Sequence, residues 1–352
     1  MTTTGPQTRE AFIRRTLAPS GKIPRLWCPP ITHYAEGGRI DVARMVAHWR
    51  TMVPYVGGFL VPGSTGEAWD MSPDEVADLL AVAIELAGEL KTRLLIGALR
   101  PTADEMHAVI AETLARLRTA TGEDDALTAM QRSRVAAYTI CPPRGAELDQ
   151  AQIETGLASV LDRGLPTAIY QLPQVTENEI APATFAGLAA AYPNFLLFKD
   201  TSGTDRVPLA DRGAGGVMLV RGAEQDYAKW LRESGGPYDG FLLSTANGFA
   251  RELGQVIELL EAGKGVEAQA LSQRLTDAVN AAFEAVAEVP HANAFANANK
   301  AIDHLMAHGP GAVDVAPPLL HGGARLPHAA IRTIADLLAE ADLLPARGYL
   351  TP

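Results

Sequence analysis

The chain contains little cysteine, with only Cys28 and Cys141 among 352 residues. Two thiols far apart in the sequence match neither a disulfide framework nor a zinc ribbon. The N-terminal sequence MTTTGPQTREAFIRRTLAPSG also lacks the apolar segment of a signal peptide. We therefore expect a cytoplasmic protein whose thiols are reduced.

Long apolar runs and a surplus of basic residues are missing too. No stretch reaches the roughly 18 consecutive apolar residues of a transmembrane helix, so we expect no membrane association. The net charge is −11, which argues against nucleic acid as a partner because such binding needs a basic face. Apolar residues, in contrast, make up 47% of the chain, enough for a large core in one big domain or two modest ones.

Short apolar segments recur along the chain, separated by Ala- and Leu-rich amphipathic stretches. The stretch 72–90 has Ser72 as a predicted N-cap and Pro73 at the first helical position. Repeated strand–helix alternation predicts an α/β fold, a (β/α)₈ TIM barrel. A doubly wound open sheet is the alternative, disfavoured because no G-x-G-x-x-G follows the first strand. The predicted strands lie within 26–32, 57–63, 93–99, 135–141, 167–173, 195–200, 216–222 and 240–246.

The pattern also predicts the domain organisation. We assign residues 1–23 to an N-terminal extension, 24–255 to the barrel and 256–352 to a C-terminal helical region. The strand pattern stops near residue 250, and the segments 251–286 and 327–344 have the periodicity of helices.

Barrel enzymes carry their chemistry at the C-terminal ends of the strands, and the sixth apolar segment ends in Lys199 and Asp200. Desolvation lowers the pKa of a lysine, and the neutral amine can attack a ketone to form an imine. A lysine paired with Asp200 is the alternative interpretation. Tyr170 ends the preceding strand, and its phenol could relay protons to and from Lys199. An ordinary core aromatic fits the position of Tyr170 as well.

The turn GSTGE (63–67) follows the second predicted strand. Gly63 lets the backbone approach a ligand, and successive N–H groups could hold a carboxylate. Ser64 or Thr65 could pass a proton onward. The alternative is a simple βα turn in which Glu67 is a helix-start acid.

Taken together, the motifs GSTGE, YQLP and KDTSG resemble those of the dihydrodipicolinate synthase/N-acetylneuraminate lyase family of class I aldolases. The family patterns are G-[ST]-T-G-E, Y-N-x-P and K-[DE]-x-[ST]-G, and the resemblance covers roughly residues 24–275. It implies a (β/α)₈ barrel that forms a Schiff base with pyruvate or another 2-oxo acid. It also implies that no metal or organic cofactor is required and that the chain forms a homotetramer or a dimer.

The resemblance implies a role for each matching residue. Lys199 would form the Schiff base, with Tyr170 as the acid/base beside it. Ser64 and Thr65 would bind the substrate carboxylate through backbone N–H groups and link Tyr170 to a proton relay. The residues implied to bind the substrate are Gly63, Ser64, Thr65, Gly222 and Leu242.

The sequence departs from the family patterns at Gln171, where asparagine is usual, and at two sites that bear on the reaction. Val175 stands where synthase members carry the arginine that holds the carboxylate of the incoming semialdehyde. Pro143 and Arg144 stand where the family often has a tyrosine that enters the neighbouring subunit's site. The proton relay is therefore rerouted, for example through water, or unnecessary. Arg144 either meets an anionic end of the substrate or is a solvated loop residue.

The segment HANAFANANKAIDHLMAHG is unusual for the family. Asn293, Asn297 and Lys300 share one helical stripe and could line a substrate entrance. His304 and His308 lie four residues apart, but two histidines without a carboxylate between them make a poor metal site. We expect them to be packed or solvated and expect no metal.

We therefore predict a Schiff-base lyase or aldolase that cleaves or forms a carbon–carbon bond of a 2-oxo acid. The expected substrates are pyruvate plus an aldehyde, joined as in a 2-keto-3-deoxy sugar acid. A sugar-acid dehydratase of the same family is one alternative. Dihydrodipicolinate synthase is another, disfavoured by Val175. A non-catalytic protein that binds a 2-oxo acid is the third, although binding alone does not need a desolvated Lys199.

Overall fold

The computed structural model describes residues 8–19, 21–210 and 214–351. Eight parallel strands form one sheet in the order β1-β8-β7-β6-β5-β4-β3-β2. All of them are buried, as expected for strands with helices outside and side chains inside. The strands are β1 (Leu26–Trp27), β2 (Phe59–Val61), β3 (Leu94–Gly97), β4 (Val135–Ile140), β5 (Thr167–Gln171), β6 (Phe195–Asp200), β7 (Met218–Arg221) and β8 (Gly240–Leu242).

The first and second strands close the sheet on itself. Cys28 forms a parallel bridge with Phe59, and its carbonyl accepts a 2.9 Å hydrogen bond from the Leu60 N–H. The predicted (β/α)₈ barrel is therefore confirmed, and each strand lies within the segment predicted for it. Cys28 and Cys141 are both buried free thiols.

Helices surround the barrel and continue beyond it. The α3 helix has the predicted N-cap, because Ser72 and Glu75 form a reciprocal capping box. The helices are α1 (Arg9–Thr16), α2 (Val42–Met52), α3 (Pro73–Glu89), α4 (Ala103–Thr121), α5 (Ala126–Arg132), α6 (Gln150–Leu161), α7 (Pro173–Thr176), α8 (Pro182–Ala191), α9 (Arg206–Ala210), α10 (Tyr227–Trp230), α11 (Ala246–Glu261), α12 (Gly265–Ala285), α13 (Ala294–His308) and α14 (His328–Glu340).

The two regions outside the barrel lie at its opposite ends. In the N-terminal extension, Arg9 donates a 2.8 Å hydrogen bond to the carbonyl of Phe195, where β6 begins. At the other end, α13 contacts the turn that follows β2. The predicted boundary between residues 255 and 256 falls inside α11, which follows β8 and is kinked at Phe249.

No helix in the described ranges is both long and apolar enough to cross a membrane.

Candidate active site

Lys199 lies near the C-terminal end of β6, with only 4% of its surface exposed. Burial lowers the pKa of its ammonium to about 7, and the negative charge of Glu224 partly opposes this shift. Asp200 is not its partner, because successive strand residues point to opposite faces. The Asp200 carboxylate instead accepts hydrogen bonds from the Ser202 N–H at 2.8 Å and from Gln171 Nε2 at 3.3 Å. The ion-pair interpretation of Lys199 is therefore wrong.

Tyr170 is the register partner of Lys199 on the adjacent strand β5. Lys199 Nζ lies 3.9 Å from the centroid of its ring. Burial raises the pKa of the phenol, although hydrogen bonding with the Thr201 and Ser64 hydroxyls partly offsets this. The phenol is therefore protonated at neutral pH and can act as a proton donor beside Lys199.

The GSTGE motif forms a 3₁₀ turn, Ser64–Gly66, directly after β2. Within the turn, the Gly66 N–H donates to the Gly63 carbonyl at 3.0 Å. The N–H groups of Ser64 and Thr65, in contrast, donate to no acceptor among the described residues. Adjacent backbone donors of this kind can bind an anion such as a carboxylate.

Glu67, the last residue of the motif, is completely buried. Its carboxylate accepts hydrogen bonds from Lys300 Nζ at 2.5 Å and from the His321 N–H at 2.9 Å. The interpretation of Glu67 as a helix-start acid is therefore wrong, since α3 begins only at Pro73. Glu67 instead anchors the turn to the C-terminal region.

Trp69 supplies a partner for the turn that the motif did not predict. Its indole Nε1 donates a 2.9 Å hydrogen bond to Ser64 Oγ. An indole N–H can only donate, so the Ser64 hydroxyl accepts from Trp69 and keeps its own proton to donate. Tyr170 is the neighbouring acceptor for that proton.

Gly222 follows β7 and lies directly against the lysine. A Cβ at this position would sit 2.5 Å from Lys199 Cε and 2.5 Å from Thr201 Cγ2. Any side chain larger than hydrogen would therefore displace Lys199. This contact explains why a glycine follows the strand.

These residues and their neighbours line one cavity of about 290 Å³ at the C-terminal end of the barrel. Of the residues predicted to bind substrate, Ser64, Thr65 and Gly222 line this cavity. Gly63 lies behind the turn, where a Cβ would meet Pro29 at 2.9 Å. The remaining lining residues are Trp69, Asp70, Tyr170, Leu172, Gln174, Val175, Lys199, Thr201, Ser244, Ala292, Asn293, Ala294 and Phe295.

Besides Gly63, two further predicted binding residues do not line the cavity. Leu242 is fully buried within β8, where its register partner is Trp27. Ser244, two residues further along the chain, lines the cavity instead. Arg144 is exposed, and its Nε pairs with Glu177 Oε1 at 3.0 Å on the surface.

The C-terminal segment reaches the cavity at its first turn only. Asn293 lines the cavity, whereas Asn297 and Lys300 are buried away from it. His304 is packed, with Nε2 2.9 Å from the carbonyl of Ala312, and its ring lies 4.8 Å from that of His308. Helical periodicity placed these side chains on one stripe but could not show which neighbours cover it.

Glu224 is the charged group that sequence reasoning missed. Its carboxylate accepts hydrogen bonds from Ser244 Oγ at 2.6 Å and from Thr245 Oγ1 at 2.6 Å. It acts on Lys199 by opposing the lowering of the lysine pKa. Glu224 lies two residues beyond Gly222, so it could have been found by reading the charged residues that follow the seventh strand.

Away from the cavity, one described group has ligand atoms close enough to hold a metal ion: His33, His48 and Asp303, whose ligand atoms lie within 4.8 Å of one another. These groups already have protein partners. His48 Nε2 lies 2.8 Å from the carbonyl of Asn247, and its Nδ1 lies 3.2 Å from His33 Nε2. Asp303 accepts a 2.6 Å hydrogen bond from Arg44. The three side chains therefore form a hydrogen-bonded network with each other and with neighbouring protein groups.

Comparisons with known proteins identify the family of this chain. Residues 22–296 match the model of the dihydrodipicolinate synthetase family. Because this match spans well over half of the 352 residues, the chain belongs to that family. Members of this class are lyases of the class I aldolase type.

Individual relatives are distant. A 4-hydroxy-tetrahydrodipicolinate synthase of Agrobacterium fabrum is 26% identical over 265 residues, which cover 75% of this chain and 82% of the relative. A protein of Emericella nidulans named "Probable 4-hydroxy-2-oxoglutarate aldolase, mitochondrial" is 24% identical over 255 residues, covering 70% of this chain and 76% of its own. A prophage protein of E. coli K12 from the same family, solved in complex with pyruvate, has a TM-score of 0.71 at 18% identity and covers 91% of this chain and 99% of its own.

Proposed function

We propose that the protein is a Schiff-base aldolase in which Lys199 forms an imine with pyruvate or a related 2-oxo acid. The observation that carries the proposal is a buried lysine with a pKa of about 7, beside a protonated phenol and two unused backbone donors. A lysine that only stabilised the fold would need an anionic or carbonyl partner for its charge. Among the described residues, no hydrogen bond or ion pair to Lys199 supplies one.

The residues divide the reaction between them. The substrate carboxylate would rest on the N–H groups of Ser64 and Thr65, and neutral Lys199 would attack the adjacent ketone. Tyr170 would donate a proton to the departing hydroxyl of the carbinolamine, which leaves as water. The resulting iminium withdraws electrons from the neighbouring carbons, so the proposed chemistry calls for no metal or organic cofactor.

The iminium accepts the electrons that are released when the carbon–carbon bond breaks. In cleavage of a 4-hydroxy-2-oxo acid, the C4 hydroxyl loses a proton and the C3–C4 bond breaks. The bonding electrons form an enamine on Lys199, and an aldehyde leaves. Protonation of the enamine and hydrolysis then release pyruvate. We propose 4-hydroxy-2-oxo acids as the substrate class, of which 2-keto-3-deoxy sugar acids are one kind.

Release of pyruvate also distinguishes the alternatives. A dehydratase would lose the hydroxyl as water and give a different 2-oxo acid without pyruvate. A binding protein would turn nothing over, although its melting temperature would rise with ligand. Val175 argues against the synthase reaction, because the cavity then lacks a cation for a second carboxylate.

The decisive experiment is intact mass spectrometry after incubation with pyruvate and sodium borohydride. We expect wild type to gain one reduced pyruvate and Lys199→Ala to gain none. Lys229→Ala, which removes an exposed lysine, is the matched control and should still form the adduct. An adduct on Lys199→Ala, or none on wild type, would contradict the proposal.

By resemblance to its family, we also propose that the chain is a homo-oligomer, a tetramer or a dimer. Light scattering during size-exclusion chromatography measures the mass of the assembly directly. A monomer at micromolar concentration would contradict this part of the proposal.

A further inference from the structure

The cavity has two zones of different chemistry. The inner zone is formed by Lys199, Tyr170, Ser64 and Thr65, which lie on strands or directly at a strand end. The unused hydrogen-bonding groups described above all belong to this zone. It accounts for the 2-oxo acid half of a substrate and leaves the rest of the cavity for the aldehyde half.

The outer zone is built largely from apolar side chains. These residues lie beyond the strand ends or in the C-terminal segment: Trp69, Leu172, Val175, Ala292, Ala294 and Phe295. Two of them are aromatic rings held in place by other contacts. Phe295 packs edge-on against Phe283 with 5.2 Å between ring centroids, and the indole N–H of Trp69 is bonded to Ser64.

Apart from Asp70 at the rim, the polar side chains of the outer cavity already have protein partners. Asn293 donates to the Ser64 carbonyl at 3.0 Å and accepts from the Ala296 N–H at 2.9 Å. Gln174 donates to the Thr201 carbonyl at 2.8 Å. Ser244 Oγ, as described above, donates to Glu224. A polyhydroxylated aldehyde would find few free partners here, and unpaired polar groups are costly to bury.

The charges in the lining disfavour an anionic aldehyde as well. Lys199 is the sole cation among the described lining residues, and it is committed to the imine. The exposed carboxylate at the rim belongs to Asp70. A second carboxylate on the substrate would therefore be desolvated without a partner and would face like charge.

We infer that the aldehyde half of the substrate is uncharged and apolar, and that an aromatic aldehyde is the class the outer zone fits best. The inference rests on the proposed function, because it concerns the partner of the pyruvate enamine. The step balances without an oxidant or reductant. The enamine carbon bonds to the aldehyde carbon, the aldehyde oxygen takes a proton, and water hydrolyses the imine to release an aryl-substituted 4-hydroxy-2-oxo acid.

The test is a panel of aldehydes offered to the wild-type enzyme with pyruvate. Benzaldehyde represents the aromatic class, succinic semialdehyde the anionic class and glyceraldehyde the hydroxylated class. We expect kcat/KM for benzaldehyde to exceed the other two by about tenfold or more, the order of discrimination that an apolar pocket supplies. A preference for either of the other aldehydes would overturn the inference.

Variants of the outer zone test which residues determine the preference among aldehydes. Val175→Arg places a cation in the lining and should shift the ratio of kcat/KM values by about tenfold or more toward succinic semialdehyde. This is the size of effect expected from one charge-assisted hydrogen bond. Val175→Leu is the matched control and should keep the preference for benzaldehyde. Phe295→Ala should lower kcat/KM for benzaldehyde more than for glyceraldehyde. Equal losses for the two aldehydes would contradict a direct contact with the ring.

Failure of the inference and failure of the proposed function are distinguishable. The borohydride adduct with pyruvate alone depends only on the inner zone. An adduct together with a preference for anionic or hydroxylated aldehydes would leave the aldolase proposal standing and overturn the inference. Absence of the adduct would remove the proposed function itself.

Discussion

Lys199 shows how a strand end can hold a lysine without its usual charge. The side chain is 4% exposed, so the ammonium form loses most of its hydration. The ring face of Tyr170 and the carboxylate of Glu224 stabilise the ammonium form, but they offset only part of the lost hydration. The balance places the pKa at about 7, where a large fraction of the amine is neutral under physiological conditions.

This pKa predicts the pH dependence of imine formation. Because only the neutral amine attacks, the rate of borohydride-trapped adduct formation should rise with pH through about 7 and level off above it. Stopped-time mass spectrometry between pH 5.5 and 9 measures the profile. Glu224→Gln removes the carboxylate that opposes the lowering of the pKa, so its inflection should lie at lower pH. A profile that falls with rising pH would contradict a neutral nucleophile.

Trp69 gives a second prediction at the residue scale. Trp69→Phe keeps a ring in the outer zone but removes the N–H that donates to Ser64 Oγ. The loss of one hydrogen bond, about 0.5–1.5 kcal/mol, should lower kcat by roughly 2- to 10-fold. The Ser64 hydroxyl would then have no fixed direction, so the pH profile of kcat should change shape as well. An unchanged kcat and profile would show that Trp69 only fills space.

At the scale of elements, α13 holds the turn Ser64–Gly66 in position. Asn293 at its N-cap donates to the Ser64 carbonyl, and Lys300 two turns later reaches Glu67. Both members of the Lys300–Glu67 pair are nearly or completely buried, with exposures of 1% and 0%. The C-terminal region thus helps to fix the geometry of the candidate active site, although α13 begins about fifty residues after the last strand.

Lys300→Met tests this role. The variant would leave the Glu67 carboxylate buried without its cation, which should reduce the free energy of unfolding by about 3–5 kcal/mol. Urea denaturation measures the loss. The double variant Glu67→Gln/Lys300→Met removes the buried charge and should recover part of the stability. Lys264→Met, at an exposed position, is the control and should differ little from wild type.

At the scale of the whole molecule, a buried polar cluster ties the barrel to the C-terminal region. His33 and His48 lie on the barrel side, and Asp303 belongs to α13. Tyr349, near the C-terminus, donates a 2.6 Å hydrogen bond to Asp303. The cluster therefore makes the packing of distant segments depend on the protonation of two histidines.

The cluster predicts acid sensitivity. Burial lowers the pKa of His33 and of His48, so between the folded and unfolded pKa values the unfolded chain binds more protons. Their contribution is present above the unfolded value of about 6.5 and is lost as pH falls below it, with a slope of up to about 1.4 kcal/mol per pH unit for each histidine. Burial alone would raise the pKa of Asp303, but its positive neighbours lower it to about 2. The Asp303 contribution is therefore lost only as pH falls from about 4 toward 2.

Urea unfolding at pH 7.5, 6.5 and 5.5 measures the effect of the histidines. Wild type should become less stable at each step toward acid. His33→Gln should show a shallower dependence, because one of the two titrating groups is gone. Equal slopes for wild type and variant would show that His33 does not carry the effect.

How well the sequence predicted the position of a residue depends on whether local features of the chain fix that position. Lys199 and Tyr170 could be placed from sequence because each ends a strand, and neighbouring barrel strands bring their ends together. Leu242 could not be placed because a shift of one residue along a strand moves a side chain to the other face. Arg144 has the chemistry of a ligand, but it lies in a loop from which its side chain pairs with Glu177 on the surface.

The sequence by itself determined the barrel, its eight strands and the inner zone, because these depend on local periodicity and on motifs at strand ends. Tertiary structure alone decided the partner of Glu67, the orientation of Trp69 and the outer wall formed by the C-terminal segment. Those contacts join residues that lie far apart in sequence, or side chains whose direction the pattern leaves open. The chemistry proposed for Lys199 therefore depends on local features of the sequence, whereas the proposed choice of aldehyde depends on packing between distant segments.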